Sequence, residues 1–322
     1  MKIQARSTIS RCPATGRGFT LIELLVAMAI TTVIIAILVS ITSLSLDTWN
    51  RSRSEIRAAR QGKSMIDSMA RDFESLVIRK GNNFQWLYAN SNPSSDGPRG
   101  NASPNAVDLI FFSAATDRYD GQIGVTGTDL GGDVSTIGYR LTYKDPIDAS
   151  ATDDFKTFVL YRKIVDPKDT FDNLLGQTDL EASFTTLTGT GNNAVDNERN
   201  FICENVYQFT VTFHVDVTIP SGTSQTTVSV PVAVGKRSNQ ASELNITGSS
   251  FVTTPPFSGS SVVTGSQLQT GRVSSVEISL TVLTDFGLQQ LRKRANLTGT
   301  AKNEFIAKNS YQYSKLIPIS GS

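Results

Sequence analysis

The chain has little of the side-chain chemistry on which most catalytic and metal sites depend. Its 322 residues include one histidine, His214, and two cysteines, Cys12 and Cys203. His214 lies on the polar face of a predicted strand with Asp216 two residues away, but the sequence has no second histidine or thiol pair to complete a metal or acid–base site. It has no P-loop, G-x-S-x-G or dinucleotide-binding fingerprint. We therefore expect a protein that is not an enzyme and that holds no cofactor or metal.

One glycine-rich loop carries aspartates that could supply oxygen ligands to calcium. They are Asp117, Asp120, Asp129 and Asp133. Their spacing matches no EF-hand loop, so a solvated turn is the preferred interpretation.

Proline is absent from residues 14–92, a run of 79 residues, and charge is absent from residues 24–46. Without proline, nothing in the backbone interrupts one long helix. The 23 uncharged residues would extend roughly 35 Å as a helix, enough to cross a bilayer core of about 30 Å. One acid, Glu23, stands at the mouth of this segment, where placing a charge in lipid is costly. The sequence therefore predicts one membrane-crossing helix. Its single carboxylate is unfavourable in lipid, so we expect it to have a specific role.

Residues 1–18 carry four positive charges and no acid. Positive charge flanking a membrane segment holds that side in the cytoplasm, so the remainder of the chain should lie outside. A secretory signal peptide fits poorly, because the apolar segment exceeds about 15 residues and no A-x-A-like site follows it. A lipoprotein signal at Cys12 fits less well, since the apolar run comes after that cysteine. A plain single-pass anchor stays open as an alternative.

Residues 18–24 read GFTLIEL, and this stretch resembles the class III signal of the type IV pilin superfamily. The resemblance implies that a prepilin peptidase cuts between Gly18 and Phe19 and that Phe19 becomes N-methylated. It also implies that Glu23 faces the terminal amine of a neighbouring subunit. Physical chemistry agrees, because an unpaired carboxylate in a low dielectric is unfavourable and a nearby cation offsets that cost. Many members carry a proline within the membrane helix, and this chain does not.

Removal of the leader would change the charge balance. Lysine plus arginine would fall from 30 to 26 against 29 acids, a net charge of about −3. Such a chain has no strong basic field, which argues against nucleic acid as the main partner. Cys203 would be the remaining thiol, and because it follows Phe201 and Ile202 in an apolar run we expect it in the core.

A helical pattern continues beyond the membrane segment, residues 19–46, through residues 47–81. Apolar or small residues recur there at spacings of three and four and predict a stripe that packs on a globular head. The stripe consists of Ile56, Ala59, Gly62, Ile66, Met69, Phe73 and Leu76. We expect the helix to reach Lys80 and Gly81 to cap it.

From residue 82 to residue 322 the periodicity changes to two, which predicts an antiparallel β-rich head. The predicted strands are residues 107–113, 137–144, 155–165, 207–217, 228–234 and 273–283. Pro231 makes its strand an edge candidate, and a short amphipathic helix over residues 285–294 should be capped by Asp285. The predicted fold class is α+β, a long N-terminal helix packed on an antiparallel sheet.

Three polar or Gly/Ser/Thr/Pro-rich stretches interrupt this pattern, at residues 90–105, 185–197 and 237–271. We expect them to be loops too polar to pack, and the longest, residues 237–271, to be disordered. Sequons at Asn245 and Asn296 are short patterns that carry little weight.

The order of the predicted strands resembles the head of minor pseudopilin J of type II secretion and of W-type minor pilins. The retained Glu23 distinguishes the chain from the K-type tip subunit, which lacks that acid. The resemblance implies a structural subunit, anchored in inner-membrane lipid with a periplasmic head. It would pack through its helix with other pilin or pseudopilin subunits, near the tip of a pseudopilus or pilus. The alternative is a membrane-tethered binding module, an adhesin or DNA-uptake pilin that uses its head loops.

Overall fold

The computed structural model describes residues 18–91, 96–114, 133–147, 155–189, 191–221, 224–235, 240–257, 263–295 and 297–319. The predictions for the leader, for Cys12, for Asp117, Asp120 and Asp129, and for Asn296 lie outside these residues. The chain divides into two compact units, residues 1–52 and residues 53–322.

Helix α1 spans Leu21–Glu74, 54 residues in all. In the first unit its side chains from Leu21 onward are exposed, and by length and composition it is a helix that could cross a membrane. Five of its hydroxyl side chains do not conflict with lipid, because each of the five donates to the backbone carbonyl four residues earlier. These bonds, 2.7–2.9 Å long, are made by Thr31, Thr32, Ser40, Thr42 and Ser45.

The outer part of α1 buries one side in the second unit. The buried residues are Ser54, Ala58, Gly62, Met65, Ile66, Met69, Ala70, Asp72 and Phe73. The predicted stripe is correct from Gly62 to Phe73 but wrong at Ile56, which is half exposed. The true stripe therefore enters through Ser54 and Ala58, small residues that a hydrophobicity pattern does not select.

Helix α1 ends at Glu74, six residues before the predicted end at Lys80. Ser75 and Val77 instead form backbone hydrogen bonds with the end of a strand, Phe112 to Ala114. Gly81 does adopt a positive φ of 76°, but in a turn rather than as the helix cap.

A seven-stranded antiparallel sheet forms the larger layer of the head. Its strands are β1 (Gln85–Ser91), β2 (Val107–Ser113), β3 (Ser135–Lys144), β4 (Thr157–Val165), β5 (Phe201–Glu204), β8 (Glu243–Thr247) and β9 (Phe251–Thr254), in the order β5-β4-β3-β2-β1-β8-β9. The strands predicted at residues 137–144 and 155–165 are β3 and β4, which pair antiparallel with each other.

A second antiparallel sheet has four strands. They are β6 (Val206–Ser221), β7 (Ser224–Ala233), β10 (Arg272–Leu283) and β11 (Ser310–Pro318), in the order β11-β10-β6-β7. The alternation predicted for residues 207–217 is confirmed, and β7 with Pro231 is an edge strand as predicted. The α+β fold is therefore confirmed, although its strands form two sheets rather than one.

Short helices complete the head: α2 (Pro167–Asp169), α3 (Leu180–Thr188), α4 (Gly265–Gln269), α5 (Asp285–Lys293) and α6 (Gly299–Asn309). The predicted helix near residue 285 is confirmed, but its cap is Thr284, whose side chain accepts from the Gly287 N–H, and not Asp285. Helix α3 packs against the seven-stranded sheet at Gly138, where an added Cβ would lie 2.4 Å from the Phe184 ring.

All three of the stretches expected not to pack are ordered where the structure describes them. In the 90–105 stretch, Asn101, Ser103 and Asn105 are buried. Residues 243–254 form the β8–β9 hairpin and residues 265–269 form α4, so the predicted disorder of 237–271 is wrong for these parts. In the 185–197 stretch, α3 extends to Thr188 and Val195 is buried. The hairpin is ordered because β8 pairs with β1, which is distant in the sequence. Local composition gives no information on that pairing.

The core lies where the outer part of α1 meets both sheets. Phe73 of α1 stacks on Phe111 with ring centroids 4.5 Å apart, and the series continues through Tyr139 to Phe209 of β6. Such aromatic contacts each add about 0.5–1.5 kcal/mol beyond the buried area. The helix, the seven-stranded sheet and the four-stranded sheet therefore share one hydrophobic core.

Gly62 gives the tightest test of how α1 packs on the head. A Cβ at this position would lie 2.5 Å from Cε2 of Tyr313 and 3.3 Å from Cγ2 of Val282. We expect Gly62→Ala to destabilise the head by about 1–3 kcal/mol, measured by denaturant unfolding of the full chain in detergent. This loss should exceed the gain of about 0.5–1 kcal/mol in helix propensity.

Tyr313→Val supplies the second half of a double-mutant cycle. Removing the ring should shrink the cost of Gly62→Ala, because the clash partner is gone. A Gly62→Ala chain as stable as the unsubstituted chain would contradict the close approach.

Candidate functional site

The sequence-predicted site residues Gly18, Phe19 and Glu23 lie together at the start of α1. The helix begins at Leu21, and Gly18 and Phe19 are exposed ahead of it. Thr20 precedes the first helical residue and supplies the first turn with a hydrogen-bond partner. The three predicted residues thus occupy one turn and its entry.

Thr20 and Glu23 form a reciprocal capping arrangement. The Glu23 N–H donates to Thr20 Oγ1 over 3.3 Å, while the backbone N–H and the hydroxyl of Thr20 each donate to Glu23 Oε2 over 3.0 Å. This is the capping box, which satisfies two donors that a helix start otherwise leaves unpaired. Sequence reasoning treated Glu23 as a solitary acid and missed Thr20, although a Thr-x-x-Glu pattern opening an apolar run is the signal for it.

All of these bonds from Thr20 reach the same carboxylate oxygen of Glu23. In the part of the chain that the structure describes, Oε1 of Glu23 has no hydrogen-bond partner. The carboxylate can therefore cap its own helix and still accept a hydrogen bond from another group.

A second acid of α1, Asp72, is a buried charged residue that sequence reasoning missed. It is 7% exposed, and Arg162 of β4 binds it through Nε at 2.7 Å and Nη2 at 2.5 Å, one nitrogen to each carboxylate oxygen. The Tyr139 hydroxyl donates to it as well. Burial, followed by the charge of Asp72, holds the pKa of Tyr139 well above its ordinary value, so the phenol is a neutral donor. The sequence signal for a buried acid was the position of Asp72, directly next to Phe73 of the packing stripe.

Arg57 ties an earlier turn of α1 to the head. Its guanidinium contacts the Glu204 carboxylate at the end of β5, and its Nη1 lies 3.7 Å from Asp285 at the start of α5. The Arg57 side chain is more than half exposed, so water screens this contact. Asp72 therefore contributes more to the alignment of helix and head than Arg57 does.

The remaining candidates do not assemble into a chemical site. His214 lies 3.9 Å from Glu277, and Asp216 accepts a hydrogen bond from Ser274 instead of from the histidine. No group of three His, Cys, Asp or Glu side chains suited to a metal occurs among the described residues, which include Asp133. Cys203 is buried as predicted, and burial raises the pKa of its thiol to about 12, which makes it unreactive.

Removing one partner of the buried Asp72–Arg162 pair should cost much more stability than removing one partner of an exposed ion pair. We expect Asp72→Asn to destabilise the head by about 3–5 kcal/mol, because Arg162 would stay buried without its counter-charge. Denaturant unfolding of the full chain in detergent measures this loss.

Asp172→Asn is the matched control, since Asp172 pairs with Lys168 on an exposed turn. That substitution should leave the unfolding midpoint unchanged within error. Equal effects of the two substitutions would show that the buried pair does not hold the helix.

Comparison with known proteins bears on the start of the chain. The prokaryotic N-terminal methylation motif matches residues 15–39, which include Gly18, Phe19 and Glu23. Among solved structures, a type IV-like pilin from Thermus thermophilus is 10% identical, with 81% of this chain and 96% of that chain covered at a TM-score of 0.28, a likeness too low to carry an argument. No curated protein matches the chain. The motif lies at the start of the chain, where the sequence predicts processing by a prepilin peptidase, and the match extends over residues 15–39 alone.

Proposed function

We propose that the chain is a structural minor pilin or pseudopilin subunit, made as a prepilin and matured at its N-terminus. The supporting observation is the methylation motif over residues 15–39, which runs directly into the apolar half of α1. The peptidase cuts between Gly18 and Phe19, and Phe19 becomes N-methylated. Both residues are exposed ahead of the first helical turn, where a protease can reach an unpaired backbone.

The subunit is held in the inner membrane by α1, with the N-terminal end of the helix on the cytoplasmic side and the head in the periplasm. The 23 uncharged residues of 24–46 supply the membrane span, and the internal bonding of their hydroxyls supports a lipid location. The same apolar surface then packs against other subunits when the helix leaves lipid for a filament.

Glu23 directs that packing through its charge. In lipid a carboxylate favours a nearby cation, and the freed amine of a neighbouring subunit's Phe19 is such a cation. Thr20 occupies Oε2, so Oε1 is the oxygen that the amine reaches. The acid thereby selects one register between adjacent helices.

The head gives the subunit its place in the filament. The order of the strands predicted from the sequence resembles that of J-type and W-type minor subunits, and this resemblance is our basis for proposing a position near the tip of a type II secretion pseudopilus or a type IV pilus. Other minor subunits are the expected partners.

Mass spectrometry of the chain purified from a host with the peptidase tests the maturation. We expect a product that begins at Phe19 and carries one methyl group on its amine. Gly18→Val should accumulate as the uncut precursor, because a branched side chain at the cut obstructs the peptidase.

Gly16→Val is the matched control and should be cut normally. A product that still begins at Met1, or normal cutting of Gly18→Val, would contradict the assignment.

Glu23→Gln separates the two roles of the acid. Glutamine can still accept from Thr20 in a capping box but carries no charge, so the helix start should survive while the pairing with a neighbour's amine is lost. We expect normal membrane insertion and cutting, with a loss of roughly tenfold or more in incorporation into filaments, measured by immunoblotting of sheared fractions.

Glu74→Gln provides the control, since Glu74 is an exposed acid at the other end of α1. It should incorporate normally. Normal incorporation of Glu23→Gln would leave helix capping as the whole role of Glu23.

A further inference from the structure

The head contains a cleft of about 290 Å³, and none of its lining residues belongs to the methylation motif. Its walls come from the segment after α1, from β1, from the β8–β9 turn and from the start of β10. The residues that matter for its chemistry are Arg79, Lys80, Trp86, Thr247, Ser250 and Arg272.

Close backbone contacts build one wall of the cleft. A Cβ at Gly248 would lie 2.9 Å from the Arg79 carbonyl oxygen and 2.9 Å from the Asn82 nitrogen, so only glycine allows this approach. The Gly81 N–H donates to the Gly248 carbonyl over 3.0 Å. The β8–β9 turn is therefore fixed against the chain that carries Arg79 and Lys80, and the cleft exists before any ligand arrives.

The turn itself is held by its own hydroxyls. Thr247 Oγ1 accepts from the Ser250 N–H over 3.0 Å, and the Thr247 N–H donates to the Ser250 carbonyl over 2.9 Å. Both side chains line the cleft. Their hydroxyl groups lie 2.9 Å apart and hydrogen-bond to each other, and a hydroxyl can make further hydrogen bonds as donor or acceptor.

A β-bulge places a tryptophan in the lining of the cleft, next to the β8–β9 turn. The register between β1 and β8 shifts between Gln85 and Leu87, so Trp86 is the extra residue of its strand. Its indole N–H donates to the Thr247 carbonyl over 3.0 Å, which fixes the ring. Bulges of this kind re-aim a side chain and are common beside functional sites.

The charge of the lining is of one sign. Arg79, Lys80 and Arg272 line the cleft, and none of the residues that form it is Asp or Glu. Arg272 lies opposite Asp216 in the β6–β10 ladder, so its charge is partly balanced. Arg79 and Lys80 form no ion pair within the described part of the head. The cleft therefore offers a positive field to an anion.

We propose that this cleft binds an acidic sugar residue, one that bears a carboxylate or a phosphate. Arg79 and Lys80 bind the anionic group, because charge-assisted hydrogen bonds to cations are the strong ones. Thr247 and Ser250 bind the sugar hydroxyls, which also both donate and accept. The activity is a binding function of the head and does not depend on how the N-terminus is processed.

The full chain in detergent micelles allows a direct test. The sequence has two tryptophans, Trp49 and Trp86, so Trp49→Phe leaves the cleft residue as the sole fluorescent reporter. Glucuronic acid, glucose 6-phosphate, glucose and inorganic phosphate are titrated separately. We expect both acidic sugars to change the Trp86 emission saturably, and glucose and phosphate to bind at least tenfold more weakly.

Arg79→Gln and Lys80→Gln, each in the Trp49→Phe background, should weaken both acidic sugars by roughly tenfold. Lys308→Gln is the control, because Lys308 is an exposed cation on α6 away from the cleft lining. Circular dichroism establishes that each variant is folded.

Three results would overturn the proposal. Equal binding of glucose would remove the role of the cations, and equal binding of inorganic phosphate would leave a simple anion site without sugar recognition. Unchanged binding in folded Arg79→Gln and Lys80→Gln chains would place the ligand elsewhere.

Discussion

The buried carboxylate of Asp72 is the constraint on which the alignment of helix and head depends. Arg162 binds both of its oxygens and Tyr139 donates to one of them, so the carboxylate has partners only at one rotation of α1. A slip of one residue would turn the side chain by about 100° and leave Arg162 buried without a counter-charge. Hydrophobic contacts such as Phe73 on Phe111 supply attraction but tolerate small shifts, whereas the ion pair does not. The head is therefore fixed to one face of a helix whose other half lies in a separate unit.

Glu23 and Asp72 are two acids of α1 whose carboxylates are stabilised in different ways. Each is a carboxylate placed where water is scarce or would become scarce. Asp72 obtains its cation from β4 of the same chain, so its pairing is complete in the single subunit. Glu23 obtains only hydroxyl and amide donors from Thr20, which leaves one oxygen available. This difference explains why Asp72 acts within the fold of one chain, and it supports the assembly role that we propose for Glu23.

Local patterns in the sequence were sufficient for the helix, the main strands and the buried Cys203, because burial follows period and hydrophobicity over short windows. They failed where a distant partner decides the outcome. The local sequence predicts an exposed Asp72, and the partners that bury it come from β3 and β4. Helix α1 ends at Glu74 because Ser75 and Val77 form hydrogen bonds with the end of β2. The cap of α5 was misplaced by one residue, since Thr284 and Asp285 are both good capping residues and only backbone geometry separates them.

The β8–β9 hairpin shows most clearly how composition misleads. Residues 243–254 are rich in Ser, Thr, Gly and Asn, and this composition hid a local hairpin signal, the alternation of Leu244 and Ile246 before a Gly-Ser-Ser turn and Phe251 after it. Their order comes from pairing with β1, which is more than 150 residues earlier, and from Gly248, whose missing Cβ lets the turn contact the chain after α1. The same contacts form the cationic cleft. A segment that appears to be a linker in the sequence is thus the wall of a preformed pocket, and the glycine that argued for disorder is the residue that the close approach requires.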